Sequence, residues 1–428
     1  MTAAEPADHD ADILILGGGA AGLMAAWAAA ERGRRVLVLE KSKKPGVKIL
    51  MSGGTRCNIT HDCDEQGIMT AFGKNGRWLR QALDQFGPDQ VKQQFNAWGV
   101  ATKVESTGKV FPCSNSAVDV RDALLNAAKR AGARIWTQCT VQALQRQQDH
   151  FVIETADRRL TAPRVIVTVG GRSYPGCGTT GDGYDWMRSM GHKIIPTRPA
   201  LVPLVGGYDW TCNLSGITLP DVQLTVHEIK ASGKRTRTPL IERHAGLLFT
   251  HFGFSGPAAM DVSGAITAAQ DFSSRPLSAN LLPGLKPEQV AESIHQQRGS
   301  GGARSIAGYL QEQYPQLPKR LIQSLCHAIS LSPDERIAQI PATACRKLAE
   351  HCCRLPLPIH QTRGFPFAEV TAGGVDLKEV DPRTMSSRKV DSLYIAGEIL
   401  DLDGWIGGYN FQSAWSTGHA AGSAAAEA

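Results

Sequence analysis

DILILGGGAAGLMAAWAAAERGRRVLVLE, running from Asp12 to Glu40, fixes the first element of the fold. The apolar run Ile13 to Leu16 enters Gly17-x-Gly19-x-x-Gly22. An alanine-rich helical stretch follows, and a second apolar strand, Arg35 to Leu39, ends in Glu40. Strand, turn, helix, strand and acid in that order predict a βαβ unit that binds an adenine dinucleotide. Gly17 permits the tight turn, Gly19 lets backbone approach a pyrophosphate, and Gly22 lets the helix lie close on the sheet. The helix start offers unpaired N–H groups and the positive end of its dipole to phosphate. Glu40 can accept hydrogen bonds from ribose hydroxyls, and its charge repels a 2′-phosphate, so FAD or NAD is favoured over NADP here. A bare structural turn is the alternative.

The 428 residues suggest roughly two or three domains. No apolar stretch approaches the ~18 residues of a membrane span. The start, MTAAEPADHDAD, lacks an apolar core for a secretion signal and reads as a short disordered lead-in. Ten cysteines are scattered, with Cys352-Cys353 the only close pair. Without metal-ligand spacing, no metal site is expected, and reduced thiols in a cytoplasmic protein are the simplest reading. A net charge of +6 permits an anionic partner such as RNA without demanding one.

Beyond the first unit, Lys43 to Thr60 is a glycine-rich basic loop. Amphipathic helices are predicted over Trp78 to Phe86, Pro88 to Trp98 and Val120 to Ala131, around a short strand near Val110. Strands at Thr137–Leu144 and Phe151–Thr155 form a small meander leading into Arg164 to Gly171, RVIVTVGG. That last run has the form of a parallel strand passing under a dinucleotide. From Pro196 the texture changes to short strands at Val202–Leu204, Val222–Ile229, Thr238–Leu240 and Leu247–Phe249. Residues 287–352 are helical in pattern. Strand texture returns after about 360, so the chain leaves the dinucleotide fold and comes back to it.

The return is SLYIAGEILDLDGWIGGYNFQSAWSTGHAAGSAAAEA, from Ser392 to Ala428. A strand over Leu393–Ala396 precedes Gly397-Glu398, and Gly407-Gly408-Tyr409 leads into a helix over Asn410–Ala426. In flavoproteins of this build such an acid holds the ribityl chain of FAD, which nominates Glu398. The free N–H groups of the following helix suit the flavin edge where negative charge collects on reduction. A surface hairpin with a packing helix is the alternative, but it needs no such density of glycine. A cofactor-like loop this far from the first favours FAD over a single NAD site.

The sequence resembles the HI0933-like family of NAD(P)/FAD-dependent oxidoreductases over nearly its whole length. The motifs that carry this are GGGAAGLMAA (17–26), KPGVKILMSGGTRCNIT (44–60), VGGRSYPGCGTTGDGYDWMRSMGHKI (169–194), FTHFGFSGPA (249–258), VTAGGVD (370–376) and GEILDLDGWIGGYNFQSAWSTGHAAG (397–422). The resemblance implies an α/β protein with a Rossmann-like FAD-binding domain of glutathione-reductase type. That domain would comprise residues 10–195 and 360–428, interrupted by an antiparallel β domain (196–283) and a helical domain (284–359). It implies that Gly17, Gly19, Ala20, Ala21, Gly22, Glu40, Lys41 and Val141 surround the ADP half of FAD. Lys48, Ser52, Gly53, Gly54, Arg56, Cys57 and Asn58 would lie near the pyrophosphate and flavin. Thr168, Gly170, Gly397, Glu398, Gly408, Tyr409 and Asn410 would complete the cradle. One departure stands out: where the family usually has GGGRCN, this chain has Thr55, whose Cβ adds stiffness.

Members of this family reduce carbon–carbon double bonds, in uridine of 23S ribosomal RNA or in unsaturated steroid-like acids, and others are aminoacetone oxidases. The resemblance thus implies hydride transfer through flavin N5 from NADH or NADPH. With no second GxGxxG, the nicotinamide nucleotide would bind transiently. An alkene also needs a proton donor. Cys57 and His251 are the candidates, each with a packing role as the alternative. Tyr174 and Tyr409 can also donate, and Arg56 can hold either an anionic substrate group or the flavin. Lys230, Lys234, Arg235, Arg237 and Arg243 form a basic cluster, either a solvated hairpin or, through Lys234, Arg235 and Arg237, contacts to RNA phosphates. The substrate expected first is ribosomal RNA, then a small molecule. An amine oxidase releasing peroxide and an RNA- or protein-binding module with structural FAD are the rival functions. The sequence says nothing of oligomeric state.

Overall fold

Ile13–Leu16 and Val36–Leu39 are continuous branched apolar runs, the composition of strands covered on both faces. In the computed structural model, which describes residues 9–299 and 304–428, they form the middle of a five-stranded parallel sheet. Residues 1–8 of the lead-in lie outside the described residues. The strand order is Leu393–Ile395, Arg164–Val167, Ile13–Leu16, Val36–Leu39, Arg134–Trp136. Ile13 stands opposite both Arg164 and Val36, so the strand ends are flush where the glycine turn begins. Every side chain of the two central strands is at most 2% exposed. Burial of this kind stabilises by about 1.5–3 kcal/mol per side chain.

The helix Ala20–Ala30 follows, with Ala21 to Ala30 all buried. Its cover is the C-terminal helix Tyr409–Glu427. A Cβ on Gly418 would sit 2.4 Å from the Ala21 carbonyl oxygen, and one on Gly422 would sit 2.3 Å from that of Ala25. Glycines four apart on one helical face therefore let the two backbones touch. This pairing ties the last helix of the chain to the first.

The meander is present as Val141–Gln147, His150–Thr155 and Arg159–Ala162, all antiparallel. It starts four residues later than expected because Gln138 adopts φ +58°, which breaks an extended run. The helix expected from Trp78 is a 3₁₀ turn, Gly73–Leu79, that continues as an α-helix over Arg80–Gln85. Pro88–Ala97 begins with proline in its first turn, and Gln90 accepts from the Gly87 N–H at 3.1 Å.

The chain divides into two compact units, residues up to Arg198 with Val370–Ala428, and Pro199–Glu369. The second is built on a seven-stranded antiparallel sheet. Its order is Leu355–Leu357, Leu277–Asn280, Thr218–Val226, Ile241–Thr250, Gly253–Ser255, Leu204–Gly206, Ile359–Thr362. No strand forms at 238–240, where Pro239 lacks the N–H a ladder needs. Residues 284–359, expected as a helical domain, share one core with this sheet: Leu224, Phe249 and Phe254 belong with Leu321, Leu325 and Leu348.

Among the described residues no helix is long and apolar enough to cross a membrane. No group of His, Cys, Asp or Glu among them could hold a metal ion. All ten cysteines are unpaired.

Candidate functional site

At the carboxyl edge of the parallel sheet, Gly17 has φ +99°, and a Cβ there would meet the Thr168 carbonyl oxygen at 2.7 Å. The buried Thr168 hydroxyl donates to the carbonyls of Leu16 and Gly17, both at 2.9 Å, stapling two neighbouring strand ends. A Cβ on Gly22 would lie 1.9 Å from the Gly17 oxygen, so helix and turn are in contact. Gly19 is different. It caps the helix with no side-chain hydrogen bond, and a Cβ there would meet nothing within 4 Å. Gly19 thus faces free space at the positive end of a helix, a geometry that suits a phosphate.

Glu40 accepts from the N–H of Gly18 and of Ser42, each at 2.7 Å, through different oxygens. Its carboxylate clamps two loops while each oxygen keeps a second lone pair for a hydroxyl. Lys41 reaches Thr180 and Asp182, both at 2.7 Å, tying the strand end to the turn before the helix Asp182–Ser189. Val141 is half-buried at the start of the meander, and Gly170 adopts φ +74°.

The second half of the site is a polar network around Glu398. Its carboxylate pairs with Lys48, accepts from the Ser173 hydroxyl, and accepts from the Thr371 N–H at 3.0 Å. Lys48 also donates to the Ser173 hydroxyl at 2.7 Å. Ser173 and Thr371 were not singled out from the sequence; the signal for Ser173 lay in Gly170-Gly171-Arg172-Ser173. Gly397, at φ +78°, donates to the Thr417 hydroxyl at 3.1 Å. Gly408, at φ +94°, precedes the C-terminal helix and gives it no side-chain cap; a Cβ there would lie 2.5 Å from the Thr60 carbonyl oxygen, so the chain passes close to this helix start. Asn410 closes the loop before it, accepting from the Gly404 N–H at 2.8 Å and donating to the Gly404 carbonyl at 2.9 Å. The side-chain carbonyl of Asn58 is buried with no partner. Such a group is left for a donor from water or from a ligand.

The loop between these halves is strained. Gly53, Gly54, Thr55 and Cys57 all have positive φ, and Thr55, at +68°, is β-branched. The Ser52 hydroxyl donates to the Ile49 carbonyl at 2.8 Å. Arg56 pairs with Glu105 at 2.7 Å and lies 4.0 Å from the centre of the Phe111 ring, so its charge is already matched.

The titratable groups sort clearly. Cys57 is fully buried, and that burial pushes its thiol up to about 12. A thiol so placed packs the core. His251 is exposed in the turn joining Ile241–Thr250 to Gly253–Ser255, in the second unit. Two further groups stand beside the turn that runs from Gly404 to Gly408. His61 lies 3.0 Å from the Gly407 carbonyl and stacks on Tyr409 at 4.6 Å, and burial lowers its pKa. Asp403 is the more telling. Burial raises its carboxyl to about 6, with Asp401 and Glu398 pushing the same way and Arg198 and Lys74 opposing. No hydrogen bond reaches its side chain among the described residues. Its signal in the sequence was the second acid of Asp401-Leu402-Asp403-Gly404.

In the basic segment Arg243 pairs with the buried Asp261 at 2.9 Å, so it is structural. Lys230, Lys234, Arg235 and Arg237 are exposed on the connection between Thr218–Val226 and Ile241–Thr250.

The profile of the HI0933-like protein Rossmann domain matches residues 11–424. The chain belongs to the HI0933-like family of FAD-dependent oxidoreductases. It is 32% identical over 406 residues to a ribosomal RNA dihydrouridine synthase of Escherichia coli, covering 95% of this chain and 96% of that one. The corresponding protein of Haemophilus influenzae is 33% identical over 415 residues, with 95% and 96% covered. A 3-dehydro-bile acid delta(4,6)-reductase of Clostridium scindens is 32% identical over 416 residues, with 96% and 98% covered. The family's cofactor fits what the first unit offers: open space at Gly19, two uncapped helix N-termini and the orphaned carbonyl of Asn58.

Proposed function

We propose that this chain reduces a carbon–carbon double bond, with a uridine of 23S ribosomal RNA as substrate and NADH or NADPH as electron source. The observation that carries the reading is near-full-length similarity to two proteins named ribosomal RNA dihydrouridine synthases. Gly17, Gly19, Ala20, Ala21, Gly22 and Glu40 would hold the adenine end of FAD, and Lys48, Asn58, Glu398 and Gly408 the flavin end. FAD, when bound, supplies hydride exchange between the nicotinamide and the substrate.

The protein must then supply what the cofactor cannot. When hydride adds to one carbon of the uracil double bond, the neighbouring carbon takes a proton. Asp403 is the group suited to deliver it. A carboxyl held near 6 keeps about a tenth of its molecules protonated at pH 7, far more than an ordinary aspartate does. The charges of Arg198 and Lys74 favour the carboxylate left behind. Cys57 then serves packing.

The test compares dihydrouridine in 23S RNA from cells lacking the protein and cells overproducing it. Equal amounts would remove the RNA substrate. A second reading, reduction of a small unsaturated acid, is favoured by the bile-acid reductase relative. It requires NAD(P)H-dependent turnover of a conjugated enone acid by the purified protein, with ribosomal RNA left unmodified.

A further inference from the structure

Arg363 follows the edge strand Ile359–Thr362 of the second unit, its N–H bound to the Pro203 carbonyl at 3.1 Å. Its guanidinium carbon lies 3.8 Å from the centre of the Phe367 ring and 4.7 Å from that of Phe252. Among the described residues no carboxylate pairs with it and its side chain donates no hydrogen bond. Three other arginines of this unit are matched by carboxylates: Arg243 by Asp261, Arg275 by Glu228 and Arg304 by Glu312. Arg363 is thus ordered by aromatic rings and left without an anion.

That combination has a physical meaning. Ring contacts attract the cation and fix its plane, but they leave the five N–H donors at the rim unsatisfied. The conformational cost of ordering a long side chain has been met before any ligand arrives, which is how arginine is prepared for phosphate. The surroundings suit a nucleotide. Phe367 is 44% exposed, and the exposed His251 lies edge-on to Phe252 with ring centres 5.0 Å apart. Gly364, at φ +67°, turns the chain so that Phe365–Phe367 follow at once.

We propose that Arg363, held between Phe252 and Phe367, anchors a phosphate of single-stranded RNA, and that the exposed Phe367 ring takes an unpaired base. Charge favours a polyanion, since the chain carries +6 and Lys234, Arg235 and Arg237 of the same unit are exposed. A paired helix hides its base faces, so the ligand is an unpaired segment. The proposal rests on the RNA reading of the function and adds to it a site in the second unit.

The experiment uses the flavin-loaded protein and a fluorescently labelled oligouridylate, with anisotropy read across a salt series. Arg363→Ala should weaken binding about ten- to a hundred-fold and lower the salt slope by about 0.7, the share of one phosphate. Arg363→Lys should restore the slope but only part of the affinity, because the fork is lost. Phe367→Ala should weaken binding at least about five-fold with the slope kept. Flavin absorbance and melting temperature, unchanged in all three, show that the fold is intact. If wild type binds no RNA, both this site and the RNA function fall. If wild type binds and modifies RNA but Arg363→Ala matches it in affinity and slope, the anchor alone is overturned. A bile acid as second ligand completes the test: if Arg363→Ala loses the bile acid and keeps RNA, the anchor serves a carboxylate and the proposal is wrong.

Discussion

Replacing Gly19 and Gly22 separately by alanine should split cofactor binding from folding. At Gly19 a methyl group meets no protein atom within 4 Å, and the backbone sits at φ −79°, which alanine adopts freely. The apoprotein should therefore lose less than about 1 kcal/mol, the usual difference between glycine and alanine at a helix cap. If the open space is the seat of the pyrophosphate, the same methyl intrudes on it. An intrusion of one carbon into a packed contact costs about 1–3 kcal/mol, so FAD should bind about five- to 150-fold more weakly. At Gly22 the methyl would lie 1.9 Å from the Gly17 oxygen and 2.7 Å from the Thr168 hydroxyl. Helix and strand must separate, and the apoprotein itself should be destabilised by about 3 kcal/mol or more. The assays are chemical denaturation of flavin-stripped protein and flavin fluorescence titration of each variant. Wild-type FAD affinity in Gly19→Ala would refute the cradle, and wild-type stability in Gly22→Ala would refute the packing.

Thr55→Gly should stabilise the protein by about 1 kcal/mol, because a β-branched residue at φ +68° carries strain that glycine lacks; a lower thermal midpoint would contradict it. His419, stacked on Phe86 at 4.5 Å, is held down to about 4 by burial, with Arg32 adding to the effect. It titrates near 6.5 when unfolded, so its contribution is complete above that pH and is lost as pH falls from 6.5 through 4. The loss amounts to about 3 kcal/mol, and His419→Phe should flatten the decline in denaturation measured over that range. For Asp403→Asn, double-bond reduction should fall about a hundred-fold or more while flavin reduction by NAD(P)H is unchanged. In wild type, the rate of double-bond reduction should decline as pH rises through about 6. Equal losses in both half-reactions would assign Asp403 a purely structural role.

What was legible in the sequence was what local physics controls. The glycine turn, the two central strands and the final helix were placed within one residue or so, because continuous apolar runs and clustered glycines leave few alternatives. The long-range arrangements were not. Leu355–Leu357 and Ile359–Thr362 sit in one stretch of chain yet join opposite ends of a sheet, and no local pattern encodes that. The same limit applies to the site. Gly17 and Glu398 announce themselves by motif, whereas Ser173 and Thr371 matter through the carboxylate they both bind. Cys57 drew attention by sitting in the glycine-rich basic loop, but its reactivity depends on burial. Asp403 looked ordinary because the cause of its shift is the desolvation around it. Arg363 and Phe252 are more than a hundred residues apart, so their contact has no sequence signature at all.

The clasp of Gly418 and Gly422 on the first helix bears on how the protein is made. Arg34, just past that helix, donates to the Ala426 carbonyl across 392 positions of chain. At about 5–20 residues per second of translation, the first helix leaves the ribosome roughly 20–80 s before the helix that covers it. Throughout that interval the helix that begins after Gly408 is not there to cover its alanine face. On the cofactor assignment proposed above, which includes Gly408, capture by this unit is completed only after that helix emerges.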